Sequence, residues 1–136
     1  EATSIGFRRI ANYIFGGNDK NMEISMTAPV VSIDYKGTEN LVQILFVMPK
    51  EHTFLELPVP NLSSIEIENM DLGKVATMKF GGWATNDRVQ TYINKLDNWL
   101  KNEKILKTGN FMVAQYNSPW ALPPFRKNEI WIKIKD

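Results

Sequence analysis

Side chains able to do acid–base, nucleophilic or metal chemistry are sparse in this sequence, and their spacing argues against each of those chemistries in turn. His52 is the single histidine among 136 residues, and cysteine is absent. One imidazole without thiolates cannot build a His or Cys metal cluster, and the carboxylates nearest to it, Glu51 and Glu56, share its loop. Ser4, Ser25, Ser32, Ser63, Ser64 and Ser118 lack a Gly-x-Ser-x-Gly context, and a lone loop histidine is a poor base for a triad. Glu66 and Glu68 stand two apart in an alternating segment, so both face one side, which reads as solvated rather than as a catalytic pair. Gly16-Gly17-Asn18 follows a helical pattern, so it is a C-cap and not a phosphate cradle at a helix N-terminus. Gly81-Gly82 does precede a helix, but no Lys-Ser/Thr follows it.

What remains is chemistry of contact. Met26, Met48, Met78 and Met112 fall in expected strands, where they suit a core. Methionine and aromatic side chains also line adaptable apolar pockets and stack on flat ligands. Trp120 lies in a proline-rich loop, a setting that suits a binding rim or a lid over the core. Sixteen basic against fifteen acidic residues give a net charge of +1, too weak a field to imply nucleic acid or an anionic membrane. No apolar run reaches the ~20 residues that cross a bilayer. The absence of cysteine leaves the compartment open.

These residues need positioning elements. A length of 136 residues with 43% apolar content suits one domain spanning 1–136. Thr3, Phe7, Ile10, Ala11 and Ile14 share one face of a helix that is under way from the first residue, which suggests upstream sequence absent from this chain or supplied by another. Residues 23–35 and 40–48 read as strands around a Lys36-Gly37-Thr38 turn, with Pro29 at an edge or bulge. Residues 49–64 hold three prolines and read as a long loop. Ile65 and Ile67 alternate with charges, and residues 75–80 alternate likewise, giving two strands around the Asp71–Gly73 turn. A second helix runs from about Asn86 to Lys104, capped by Thr85 or Asn86, with Val89, Tyr92, Ile93, Leu96, Trp99 and Leu100 on one face. Phe111–Tyr116 and Glu129–Lys135 complete the strands, separated by a loop over 117–125. The order is a near-repeat of helix and strands, so the expected class is α+β, with helices packed against an antiparallel sheet. Strands preceding the first helix would complete the repeat and cover a sheet edge.

Six strings then occur in register: Phe7-Arg8-Arg9-Ile10-Ala11-Asn12-Tyr13-Ile14-Phe15-Gly16-Gly17-Asn18, Met26-Thr27-Ala28-Pro29-Val30, Phe46-Val47-Met48-Pro49, Phe80-Gly81-Gly82-Trp83-Ala84, Tyr116-Asn117-Ser118-Pro119-Trp120 and Arg126-Lys127-Asn128-Glu129-Ile130. Over essentially its whole length the chain closely resembles the SOUL haem-binding protein family, particularly its bacterial-type members. The resemblance implies a distorted antiparallel barrel-like sheet with two helices, made of two β-α-β-β halves related by a pseudo-twofold axis, and an N-terminal strand pair before the first helix. It implies a non-enzymatic carrier or buffer that binds haem or free porphyrin reversibly in a shallow apolar groove beside that helix. Carried onto this chain, the groove takes Phe7, Ile10, Ala11 and Ile14 from the helix and Tyr116, Trp120 and Phe125 from the facing loop, with Arg8, Arg126 and Lys127 placed to meet propionates. Phe7, Ile10 and Ile14 would equally serve as the core face of the helix. The histidine proposed as iron ligand in some members lies upstream of the helix and has no counterpart here; His52 falls in a loop, and Asn12 stands where some members have a basic residue. The implied cofactor is therefore a non-covalent haem or porphyrin, weakly or not axially ligated, with His52 the lone alternative axial ligand. The other reading is a small-molecule-sensing or protein-interaction module of the same fold.

Overall fold

A computed structural model describes residues 2–24, 29–34, 42–46, 56–69, 71–116 and 126–136, with residues 2–7, Asp34 and Val42 described by their backbone alone. Helix α1 (Ala2–Ile14) leads into strands β1 (Val30–Asp34) and β2 (Val42–Phe46). Strand β3 (Val75–Gly81) precedes helix α2 (Asn86–Asn102), which leads into β4 (Lys107–Gln115) and β5 (Lys127–Ile134). All pairings are antiparallel in the order β2-β1-β4-β5-β3, an open five-stranded sheet among the described residues. The class is α+β as expected. The order also displays the near-repeat: each helix is followed by a hairpin pair, and the two pairs meet where β1 lies against β4.

Strand register decides which side of the sheet each helix covers. Val30 pairs with both Phe46 and Gln115, and Asn128 pairs with both Gln115 and Phe80, so Phe46, Val30, Gln115, Asn128 and Phe80 form one row on one face. On that face Phe80, Ile130 and Ile132 pack with Leu96 and Leu100 of α2, and Phe46 packs with Tyr13, Ile14 and Ile24. Both helices thus lie on the same side. The opposite face carries a separate cluster of Val31, Ile33, Met112 and Ala114, joined by Leu45, Leu72, Tyr116 and Trp131. Burying a Leu or Ile side chain in such clusters contributes roughly 1.5–3 kcal/mol, so the α2 seam carries much of the stability.

Local chemistry explains the ends of both helices. Thr85 caps α2 by accepting from the Arg88 amide at 3.3 Å, and Asp87 complements the dipole in the first turn. Lys104 at φ 58° stops the helix at a non-glycine residue. At the end of α1, Gly16 adopts φ 109°, its amide reaches Tyr13 O (3.4 Å), and the Gly17 amide reaches Asn12 O (2.8 Å). That pair of bonds is a Schellman closure, with Gly16 as its left-handed residue.

Four expectations change. Residues 65–69 form no strand, yet Ile65 and Ile67 pack against the α1 cluster; alternation reports which side chains are buried, not whether the backbone pairs. Pro29 sits just before β1, an interior strand, rather than on an edge or bulge; there it removes no ladder donor. Strand β4 begins at Lys107, four residues before Phe111, because a register shift between Thr108 and Met112, with Gly109 at φ 81°, carries turn-forming residues inside the strand. Strand β5 begins at Lys127, two residues early.

Candidate functional site

Helix α1 shows two faces. Tyr13 and Ile14 are 2% exposed and Ile10 is half-buried, all in the cluster with Ile24 and Phe46. The outward side presents Arg8 and Arg9 exposed, Ala11 half-buried and Asn12 exposed, and it ends at Phe15, which is 65% exposed. Arg8 and Ala11 are three apart and so neighbours on the helix surface, ~5–6 Å apart, and Phe15, the first residue beyond α1, still donates its amide to Ala11 O at 3.0 Å and continues that side. A cation, a small residue and an uncovered aromatic ring therefore form one stripe. Phe7 lies in α1 by its backbone; Trp120, Phe125 and His52 fall outside the described residues.

The stripe is held in place from behind. Tyr13 Oη donates to Pro58 O at 2.7 Å, and burial, aided by the charge of Asp19, raises the pKa of this phenol. Asn18, 2% exposed, donates to Tyr13 O (3.0 Å) and Met22 O (2.9 Å), while its Oδ1 accepts from the amides of Lys20 (3.2 Å) and Met22 (3.0 Å). The Val59 amide donates to Asp19 Oδ1 at 2.7 Å, and the Asn61 amide to Gly17 O at 3.0 Å. Four backbone groups are satisfied by one side chain, which accounts for a buried asparagine.

A second group gathers at the ends of β3 and β5, on the helix side of the sheet. β5 lies three strand spacings from β2, about 14 Å across the sheet. The Arg126 guanidinium, from a residue 8% exposed, stacks over the Trp83 ring at 4.5 Å, and Trp83 itself is 48% exposed. Arg88 donates to Gly81 O (2.6 Å) and Asn128 to Gly82 O (2.9 Å), which fixes the corner carrying Trp83. Lys127 is exposed beside it.

Tyr116 goes elsewhere. Its side chain lies on the sheet face away from both helices, where its hydroxyl donates to Glu129 Oε1, and Trp131 Nε1 donates to the same oxygen at 2.9 Å. The structure therefore joins Arg8, Ala11 and Phe15, sets Arg126 and Lys127 at a strand-end corner, and turns the Tyr116 side chain to the other face of the sheet, although its amide donates to Lys127 O at 3.1 Å. Phe15 and Trp83 are the residues sequence reasoning missed. Both stood inside the quoted strings, and the signal for Phe15 was its place one turn beyond Ala11 on the outward side.

Burial and the Glu129 contact push the Tyr116 phenol up to about 12, from an ordinary 10.0. Because the folded-state value is raised, the stabilisation is fully present below pH 10 and is lost as pH rises through about 12. We expect Tyr116→Phe to remove one late tyrosinate step from an alkaline absorbance titration while the raised step of Tyr13 remains; an unchanged curve for the variant would contradict this assignment.

Among the described residues no group of three or more His, Cys, Asp or Glu side chains could hold a metal, and no helix is long and apolar enough to cross a membrane. The α1 stripe offers ring contact and a cation; it offers no imidazole or thiolate.

The family model described as SOUL heme-binding protein matches residues 1–133. The chain is similar to heme-binding protein 2 of Mus musculus, 32% identical over 140 residues, covering 99% of this chain and 67% of that protein. Heme-binding protein 2 of Homo sapiens gives the same identity and coverage. Heme-binding protein 1 of Xenopus laevis is 27% identical over 135 residues, covering 96% and 70%.

Proposed function

Since the chain belongs to the SOUL haem-binding protein family, we propose that it binds haem or free porphyrin reversibly, as a carrier or buffer and not as an enzyme, against the outward stripe of α1. The observation that carries this reading is Phe15, a large ring left 65% exposed on the same helix face as Ala11 and Arg8. A bound porphyrin supplies an extended π surface and carboxylates. Ala11 lets that surface approach the helix closely, since a larger side chain there would hold it off. Phe15 covers it at one end, and Arg8 meets a carboxylate at the other through a forked guanidinium contact. Phe7, by its position four residues before Ala11, extends the apolar contact. Ile10 and Ile14 form the floor beneath, keeping α1 seated on β2. Arg126 and Lys127 serve as the distant rim, with Trp83 holding the Arg126 guanidinium; Trp120 and Phe125, in the segment between β4 and β5, belong to the same proposal, whereas Tyr116, whose side chain lies on the other face of the sheet, does not. Covering an exposed aromatic is worth roughly 1.5–3 kcal/mol, so useful affinity requires no iron ligand.

Titration of haemin and protoporphyrin IX, followed by the Soret band and tryptophan fluorescence, is expected to saturate for both with similar affinity. His52→Ala should leave the haemin curve unchanged. Failure of either ligand to saturate at micromolar protein would overturn the reading, and a strong preference for haemin lost in His52→Ala would replace contact binding with axial ligation.

A further inference from the structure

The apolar core on the helix side of the sheet is in two parts, one under α2 around Ile130 and Ile132 and one under α1 around Ile14 and Phe46. Between them the central strands β1 and β4 turn Val30, Ser32 and Gln115 to the same side, all half-buried and members of neither cluster. Helix α1 rests on β2, and α2 spans β3, β5 and β4, so its axis lies over β5. The axes therefore stand three strand spacings apart, about 14 Å, where helices in contact lie about 8–10 Å apart. The surplus of roughly 4–6 Å admits one planar ring, which adds a carbon contact distance of about 3.5–4 Å.

In α2 the residue after each core residue, Gln90 after Val89, Asn94 after Ile93 and Asp97 after Leu96, lies on the flank towards β4, because Asp97 Oδ1 accepts from Lys107 of β4 at 2.6 Å. Arg88, on the other flank, reaches Gly81 O of the outer strand β3. The two halves repeat, α1 standing to β1 and β2 as α2 stands to β4 and β5. Ala11 after Ile10 and Phe15 after Ile14 thus look towards β1. The aromatic stripe and the Gln90–Asn94 pair, whose amides are joined at 2.9 Å, face each other across the furrow.

We propose that the porphyrin stands on edge in this furrow, one face on Ala11 and Phe15, the other on Gln90 and Asn94, with its carboxylates at the mouth towards Arg8. The placement rests on the porphyrin reading above and makes α2 the second wall of the same site.

Protoporphyrin IX is the probe, and its ring current, which shifts only protons close to the macrocycle, is the readout. At saturation the Ala11 amide and the side-chain amides of Gln90 and Asn94 should all move. Gln90→Trp fills the furrow from the α2 side without altering α1 and should weaken binding by about tenfold or more. Thr91→Trp, exposed on the same helix but off that flank, should stay within about twofold of the parent. Saturable binding that moves Ala11 but neither side-chain amide, or equal affinity in Gln90→Trp, would overturn the edge-on placement and leave the porphyrin on the outer side of α1. Lack of saturable binding would overturn the porphyrin reading itself, and this placement with it. The shifts in the unaltered protein decide the matter even if Gln90→Trp does not fold.

Discussion

Phe15→Ala should weaken porphyrin binding by about tenfold to a hundredfold, the equivalent of the roughly 1.5–3 kcal/mol that covering a large apolar ring provides. The same change should leave the unfolding midpoint within experimental scatter, because the ring is 65% exposed and leaves no cavity behind. Ala11→Glu should have an effect at least as large. It puts a carboxylate between Phe15 and Arg8, where a macrocycle would have to lie, and it repels the ligand's own carboxylates. Trp99 on α2 is 47% exposed and far along the chain from the stripe, so Trp99→Ala serves as the control for loss of any surface aromatic. Titrations in which Phe15→Ala and Ala11→Glu both match the parent would remove α1 from the site. A loss shared equally by Trp99→Ala would show that the porphyrin is adsorbing to exposed rings in general.

Gly17→Ala is expected to be the most damaging single methyl group that the described structure can receive. A Cβ at this position would stand 2.1 Å from Asn12 Oδ1 and 2.5 Å from the Asn12 carbonyl oxygen. The exposed Asn12 side chain can swing away, but the carbonyl belongs to α1 and accepts the Gly17 amide at 2.8 Å. Relief therefore requires shifting the helix end or breaking the closure, at a cost of about 1–3 kcal/mol in the range of overpacked sites. By contrast, Gly73 at φ 62° has open space around it, so alanine there meets only the strain of its backbone conformation. Chemical denaturation of Gly17→Ala and of the double variant Asn12→Ala/Gly17→Ala separates the two contacts. The double variant should recover little; full recovery would show that the side chain, not the helix carbonyl, is the obstacle.

How much of this was legible beforehand depends on which physical signal each feature leaves in the sequence. Periodicity exposed both helices, and composition exposed β1, β2 and β5, because burial imposes a repeat that sequence records directly. Strand β4 was shortened at its start because Thr108-Gly109-Asn110 carries turn chemistry inside a strand. Ile65 and Ile67 showed the opposite failure, with strand-like alternation in a segment whose backbone has no partner. The site divided in the same way. Arg8 and Ala11 could be placed by helical spacing, whereas Phe15 was hidden by its place at the glycine stop, where the period ends. Tyr116 was harder still: its facing depends on register with β5, and no local pattern states which side of a sheet the first residue after a strand will choose. Tyr116 and Glu129 stand thirteen residues apart in sequence and only the ladder brings them together, while Trp131 is two residues from Glu129 on the same strand.

The Asn18 hub has a further consequence for how the molecule breathes. Its amide joins the last turn of α1 to Met22, and the neighbouring bonds from Asp19 and Gly17 fasten Val59 and Asn61 to the same turn. Segments some forty residues apart thus form one cooperative opening unit, separate from the seam of α2 with β3, β4 and β5. A ligand resting on α1 holds that whole unit shut. Slowed amide exchange would then appear at Val59 and Asn61, backbone groups whose protection comes from the turn they are tied to.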